Sequence, residues 1–487
     1  MTEANGAMNA PSSGASRTRG QVVPQQKAPK GLAFVQSDSS GRTPADRRQL
    51  IRSHVMRGKN TAKREMEPNE DGPGRFGFWP PSLPGLQRPL AELALCIFHV
   101  LKKQPTQRSL SVFIHIKENM YPLERCVEQR VSKQAWFYWA CTNTVYLSSL
   151  LFAVSAFNDL SRAPSHDPTP SFRGDLTQYF SPRTLRHLRR TMQLLQAKLR
   201  DGFQQPEDAT TSVVITLALM ANAVGDGEAC ETHVKGLKEM NNRELQLKLC
   251  RVDLAWSIRS GCKPTLFDGD VTWSRFSNST KTIYSQLGSN PPPPDPLFEH
   301  IQTLDIKLQN VYNDMRDLAH AANHLIASDD KLQPDLFQDM IMSIQYRLLF
   351  LEYPLESQPI QEALRCGLLA FQASALLLVP GLKLRYDFLR DRLRLALRHL
   401  LDASAPALRD LKLWLMLVGC VAMDDVVDEE EPGSGGGGAL AKLVGGEEDW
   451  PRVRGRMKGI MWIDAVHDVP GKRVFDTARL GRGGGVS

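Results

Sequence analysis

Residues 208–240 read DATTSVVITLALMANAVGDGEACETHVKGLKEM, and this stretch decides the fold class. Its first arm, DATTSVVITLALMANAV, is apolar on nearly every side, as a helix buried in a core must be. The second arm, EACETHVKGLKEM, repeats apolar residues at helical spacing with charge between them. Gly225-Asp226-Gly227 separates them, a turn that needs the backbone freedom of glycine. Two helices joined by so short a turn must fold back on each other, and the pair predicts a helical hairpin inside a larger helical core.

Helical patterns extend outward in both directions. Upstream they begin with GLQRPLAELALCIFHVLKK (85–103) and continue through an aromatic-rich segment. Ser181-Pro182 opens another helix, RTLRHLRRTMQLLQAKLRD, with Gly202 as its stop. Downstream, ELQLKLCRVDLAWSIRSG stops at Gly261 ahead of Lys263-Pro264. An irregular polar region then reaches the proline run Pro291 to Pro294. Helical periodicity resumes at PLFEHIQTLDIKLQNVYNDMRDLAHAANHL, QDMIMSIQYRLLFLEY, IQEALRCGLLAFQASALLL and LKLRYDFLRDRLRLALRHLL, and the segment EEDWPRVRGRMKGIMWIDAVHDVPGKRVFD reads as one more helix. Strand patterns are almost absent. The expectation is an all-α chain of stacked antiparallel helices, helical-repeat-like, although no repeat of fixed period stands out.

The domain plan follows from composition. Residues 1–41 are rich in Ser, Gly, Ala, Pro and Gln and read as a disordered tail. Residues 42–66 form a basic segment, in which Thr43 and Pro44 suit a helix start. The helical region runs over 84–475, with linkers at about 265–295 and 424–448, and 476–487 reads as a second disordered tail. The second linker holds the acidic run DDVVDEEE followed by Pro432-Gly433 and further glycines, the composition of a solvated loop.

Length and composition set bounds on class. With 487 residues and 42% hydrophobic content, the chain can bury one large core or several modest ones. Sixty basic against 53 acidic residues leave a net charge of +7, a mild aid to approaching polyanions. The eight cysteines are scattered without any C-x-x-C pair, which argues against a disulfide framework or a zinc ribbon and for reduced thiols. The first residues contain no apolar signal region, so no secretion is expected. One stretch, Ala135 to Phe157, runs without a charge and is long enough to span a bilayer. Its Thr, Asn, Ser and Cys content, with four aromatics clustered at one end, fits a single buried core helix better, and no membrane partner is expected.

Several segments together resemble the fungal-specific transcription factor domain, the regulatory region that usually follows a zinc binuclear cluster. RRQLIRSHVMR (Arg47 to Arg57) is similar to an arginine-rich R-S-H-x-M-R element near the start of members that lack the cluster. The hairpin carries H-x-x-G-L-x-x-M as His233, Gly236, Leu237 and Met240, although Asn241-Asn242-Arg243 stands where the family has an R-G-G-like turn. CRVDLAWSIRSGCKPTLF resembles the family's arginine-x-aspartate helix and proline-containing exit, with Arg251, Asp253 and Pro264 in the matching places. A tryptophan segment around Trp462, Asp464 and His467 is the fourth point of likeness. The resemblance implies a nuclear protein, with the cytoplasm as alternative, whose helical regulatory domain acts on RNA polymerase II genes. It implies as partners the transcription machinery or a DNA-bound protein, with no cofactor and no catalysis. The oligomeric state stays open.

A binuclear zinc cluster needs six closely spaced cysteines near the N-terminus, whereas the first cysteine here is Cys96. Any DNA contact in that region falls to the basic segment, where Arg42, Arg47, Arg48, Arg52, Arg57, Lys59, Lys63 and Arg64 have only the acid Asp46 among them, with Glu65 directly after. Arg47, Arg48, Arg52, Arg57, Lys59, Lys63 and Arg64 are thus the candidate nucleic-acid or import residues. The opposing possibility is a solvated helix paired with the acidic loop, or a helical scaffold or co-regulator that never touches DNA.

Two chemical alternatives carry less weight. Asp424, Asp425 and Asp428 have the D-D-x-x-D spacing with which helical prenyl and terpene synthases hold magnesium, but they run directly into an acidic, glycine-rich loop with no second metal element after them. His320 and His324, one turn apart with Asp317 before them, could share a helix face as metal ligands, yet no H-E-x-x-H motif supports them. No phosphate-cradling glycine loop or nucleophile elbow is present.

Overall fold

The computed structural model describes residues 112–113, 122–127, 135–162, 174–200, 208–240, 245–276 except 268, 294–328, 330–401 except 378, 380, 381, 383 and 385, 408–423, 440, 443 and 449–483. All of these fall in the compact unit Leu86–Ser487. The helix expected at 85–103, the N-terminal tail and the basic segment lie outside the described residues.

Among the described residues the chain is all-α, with 14 α-helices and no strand. In order they are α1 (Ala135–Thr142), α2 (Thr144–Arg162), α3 (Pro182–Arg200), α4 (Asp208–Val224), α5 (Gly227–Met240), α6 (Gln246–Ser260) and the single turn α7 (Phe298–Ile301). There follow α8 (Ile306–Ala327), α9 (Pro334–Phe350), α10 (Pro359–Leu376), α11 (Asp387–Leu401), α12 (Arg409–Met423), α13 (Trp450–Ile460) and α14 (Asp464–Gly483). The expected hairpin is α4 and α5, and its turn places Gly225 at φ 89°, in the left-handed region. Gly261 closes α6 in the same way at φ 72°.

Two hydrophobic cores share one helix. Trp136, Phe152, Val213, Ala218 and Leu237 belong to the first, built from α1 to α5. Tyr312, Phe337, Leu364, Trp414 and Trp462 belong to the second, built from α8 to α14. Helix α6 serves both: Val252 and Trp256 face the first, while Cys250, Leu254 and Ile258, one turn apart, face the second. Every residue from Arg251 to Ile258 is consequently buried. Helices α10 and α12 are enclosed nearly as completely, which matches their apolar character on all sides.

The structure corrects four readings of helix extent. The uncharged stretch from Ala135 is not one helix, because Asn143 interrupts it and its side-chain oxygen accepts the Val145 and Tyr146 N–H groups at 3.1 and 3.0 Å to start α2. No described helix is long and apolar enough to cross a membrane. Asp305 likewise starts α8 by accepting the Lys307 N–H at 2.8 Å, leaving only α7 before it. The segment read as one helix from 447 onward is two. The carbonyls freed at Met461 and Trp462 are taken by Trp414 Nε1 at 2.7 Å and Asn323 Nδ2 at 2.7 Å, and Asn323 Oδ1 accepts the first N–H of α14. Finally, residues 476–483, expected to be a tail, continue α14.

Candidate functional site

Of the residues that carried the resemblance, Arg251, Asp253 and Pro264 meet at α6 and its exit. The Asp253 side chain is fully buried and accepts the Thr265 N–H at 3.0 Å, the Leu266 N–H at 2.9 Å and the Tyr346 hydroxyl at 3.0 Å. The proline at 264 directs the chain into this grip by forbidding further helix. Burial pushes the Asp253 carboxyl up to about 6, while the backbone donors of Thr265 and Leu266 pull the other way. Phe267 then stacks on the Tyr346 ring, with centroids 4.3 Å apart. Arg251, almost as deeply buried, reaches Glu124 at 2.8 Å. The arginine-x-aspartate pair therefore fastens the helix shared by both cores to the 122–126 turn on one side and to the exit loop and α9 on the other.

Two further buried ionic clusters lie in the second core. Asp314, wholly buried, accepts from Arg347 at 2.7 Å, from Arg275 at 3.1 Å and from the Phe276 N–H at 2.9 Å. Glu362 accepts from Arg365 and Arg392, each at 2.7 Å. Burial works to raise the Glu362 carboxyl, but the hydrogen bonds and charges of the two arginines hold it below its usual value. Sequence reasoning missed both clusters, because Asp314 and Arg347, and Glu362 and Arg392, stand on different helices about 30 residues apart, and it also missed α12.

His467 occupies the centre of the tryptophan segment. Its ring lies against Phe371 and Trp462, at centroid distances of 4.8 and 4.9 Å. The Ile463 carbonyl already accepts the Val466 and His467 N–H groups, so Nδ1 accepts the Ile463 N–H at 3.1 Å. Nε2–H then donates to Ser374 Oγ at 2.8 Å, and the hydroxyl in turn donates a hydrogen bond to the Phe371 carbonyl at 2.8 Å. Burial pushes this imidazole down to about 3, so it is neutral. The neighbouring Asp464 and Asp468 pair with Arg454.

On α5, Leu237 and Met240 are buried and His233 is half-buried, its imidazole pushed down to about 4 by burial. A Cβ at Gly236 would meet nothing within 4 Å, so close packing does not require that glycine. The histidine pair does not form a metal site. Asp317 pairs with Arg275, His324 lies 3.8 Å from Asp330, and no group of three or more potential ligands converges among the described residues. Burial pushes the Cys126, Cys230 and Cys366 thiols up to about 12, far from the range of a reactive thiolate. Arg47, Arg48, Arg52, Arg57, Lys59, Lys63 and Arg64, and the acids Asp424, Asp425 and Asp428, lie outside the described residues.

The fold and these locks define an all-α protein with two cores joined through a charged central helix. No protein-family model, curated protein or solved structure matches the chain.

Proposed function

We propose that this chain is a transcription-regulator-like protein of RNA polymerase II genes. It acts in the nucleus through its helical domain, without a zinc-cluster DNA reader, and its partners are the transcription machinery or a DNA-bound protein. The observation that carries the proposal is the position of Arg251 and Asp253. The two residues by which α6 resembles the fungal regulatory domain are the ones that anchor α6 between the cores. The other resembling segments, the α4–α5 hairpin and the tryptophan segment at the head of α14, pack into the same two cores. The buried charges described above are engaged with one another or with backbone donors, an arrangement suited to holding a shape for partners to read.

The test is the location of a fluorescent fusion in the host cell, comparing the intact chain with one carrying Arg47, Arg48, Arg52 and Arg57→Ala. Nuclear accumulation lost on substitution supports the proposal and gives the basic segment an import role. A cytosolic distribution unchanged by the substitutions contradicts it, and leaves the helical scaffold outside the nucleus as the better account.

A further inference from the structure

Helix α3 carries Arg183, Arg186, Arg189, Arg190, Lys198 and Arg200 and not one acidic residue. Its rotation is fixed by its inner face. Thr184 Oγ1 donates to Asp159 at 2.5 Å, Thr191 Oγ1 donates to Ser148 Oγ at 3.0 Å, and Leu195 is buried in the first core. With Thr184, Thr191 and Leu195 turned inward, the 100° step of a helix turns Arg186, Arg189, Arg190, Gln193 and Arg200 to the opposite side, with Arg183 on its rim. All six are exposed.

Nothing among the described residues neutralises this face. Arg183, Arg189, Arg190 and Arg200 have no carboxylate within ion-pair reach there, and the nearby Asp159 is turned inward onto the Ser181 N–H and Thr184. The face also acts on its neighbour: His187 is held below its usual pKa first by burial and then by the charges of Arg183 and Arg186. Arg183, Arg186, Arg189 and Arg190 follow one another within about 10 Å along a helix of roughly 28 Å, and Arg200 lies about 15 Å farther on.

The occupant is set by charge complementarity and by what the face lacks. The outward surface of Arg186, Arg189, Arg190, Gln193, Ala197 and Arg200 has one alanine as its only apolar member, with the exposed Leu199 off to one flank, so it lacks the large apolar centre that a protein partner would need to bury and an anionic bilayer would need for insertion. Guanidinium groups in a row suit the evenly spaced oxygens of a phosphodiester backbone, each able to take a bidentate contact. We propose that the outer face of α3 is a sequence-independent docking surface for the phosphate backbone of duplex DNA. The choice of DNA among polyanions rests on the regulatory function proposed above, whereas the basic face itself stands on the geometry of α3.

The experiment is a titration of the full chain with a labelled 20-base-pair duplex of arbitrary sequence across a salt series. It is run on the wild type, on Arg186→Gln/Arg190→Gln and on Arg186→Glu/Arg190→Glu, each also combined with Arg47, Arg48, Arg52 and Arg57→Ala. These side chains are exposed, so unchanged thermal unfolding checks that each variant folds. The expected result is duplex binding that survives the 47–57 substitutions. The glutamine pair should weaken it about tenfold and make the log–log salt slope shallower by about 2, and the glutamate pair should weaken it more. Absence of duplex binding, affinity unchanged within about twofold in both variants, or tighter capture of poly-glutamate or phosphatidylserine vesicles than of duplex would overturn the proposal. Failure here is separable from failure of the regulatory function, because the nuclear location of the fusion is read on a chain with α3 intact.

Discussion

The hydroxyl of Tyr346 on α9 donates to the Asp253 carboxylate on α6 at 3.0 Å, across the helix that both cores share. With the Thr265 and Leu266 N–H groups on the same carboxylate, one buried side chain holds α6, α9 and the exit loop in a single arrangement. Tyr346→Phe removes one donor and is expected to lower stability by about 1–2 kcal/mol, as for a hydrogen bond to a charged group. Asp253→Ala orphans two backbone donors and is expected to cost about 3 kcal/mol or more. Urea unfolding followed by circular dichroism checks the order, and equal midpoints for the wild type and Asp253→Ala would remove the anchor from the account.

Arg347 and Asp314 test the second lock. Arg347→Met leaves a fully buried carboxylate with Arg275 as its remaining charged partner and is expected to destabilise by about 3 kcal/mol. Adding Asp314→Leu is expected to recover part of that loss, since Arg275 is half-exposed and regains water. If the double variant is less stable than Arg347→Met alone, the carboxylate was not the source of the penalty.

Gly367 is where α10 comes closest to α12. A Cβ there would fall 2.9 Å from Trp414 Cζ3 and collide with the Leu415 side chain, in a place where both helices are fully enclosed. Gly367→Ala is therefore expected to cost about 1–3 kcal/mol by overpacking, despite the higher helix propensity of alanine. A thermal melt at or above the wild-type midpoint would show that the two helices can part at no cost.

His467 gives the fold an acid limit. Its folded pKa lies near 3 against 6.5 for an ordinary histidine, so between these values the unfolded chain binds the extra proton. The stability it contributes is fully present above pH 6.5 and is lost as pH falls toward 3, at on the order of 1 kcal/mol per pH unit. Glu362, held low by its arginines, acts in the same direction, whereas Asp253, raised to about 6, acts in the opposite one. His467→Gln keeps polar atoms near Ser374 and Ile463 and is expected to flatten the acid side of the stability profile relative to the wild type. Parallel profiles from pH 4 to 7 would exclude His467 as the titrating group.

The helical class was legible because apolar residues recur at helical spacing and because glycine and proline punctuate the chain. Gly225, Gly261 and Pro182 stand where helices turn, end and begin. The breaks at Asn143, Asp305 and Met461–Ile463 were not legible. Their cause is a side chain meeting freed backbone groups, and for Met461 and Trp462 the partners Trp414 and Asn323 are remote in sequence. Helix α12 was passed over for a related reason, since LKLWLMLVGCVAM is buried on every side and shows no alternation to read. At the candidate site, Arg251 and Asp253 stood out by resemblance, but Tyr346, Glu124 and the Asp314 and Glu362 clusters are defined only by the three-dimensional packing.

The central claim, that the chain works at RNA polymerase II genes, is tested most directly by crosslinking the tagged protein in its host and sequencing the DNA recovered with it. Enrichment at promoters, reduced when Asp253→Ala unfastens α6 in protein of matched abundance, is the predicted result. Recovery no different from an untagged control would contradict the claim and leave a helical protein whose partners lie away from the genes.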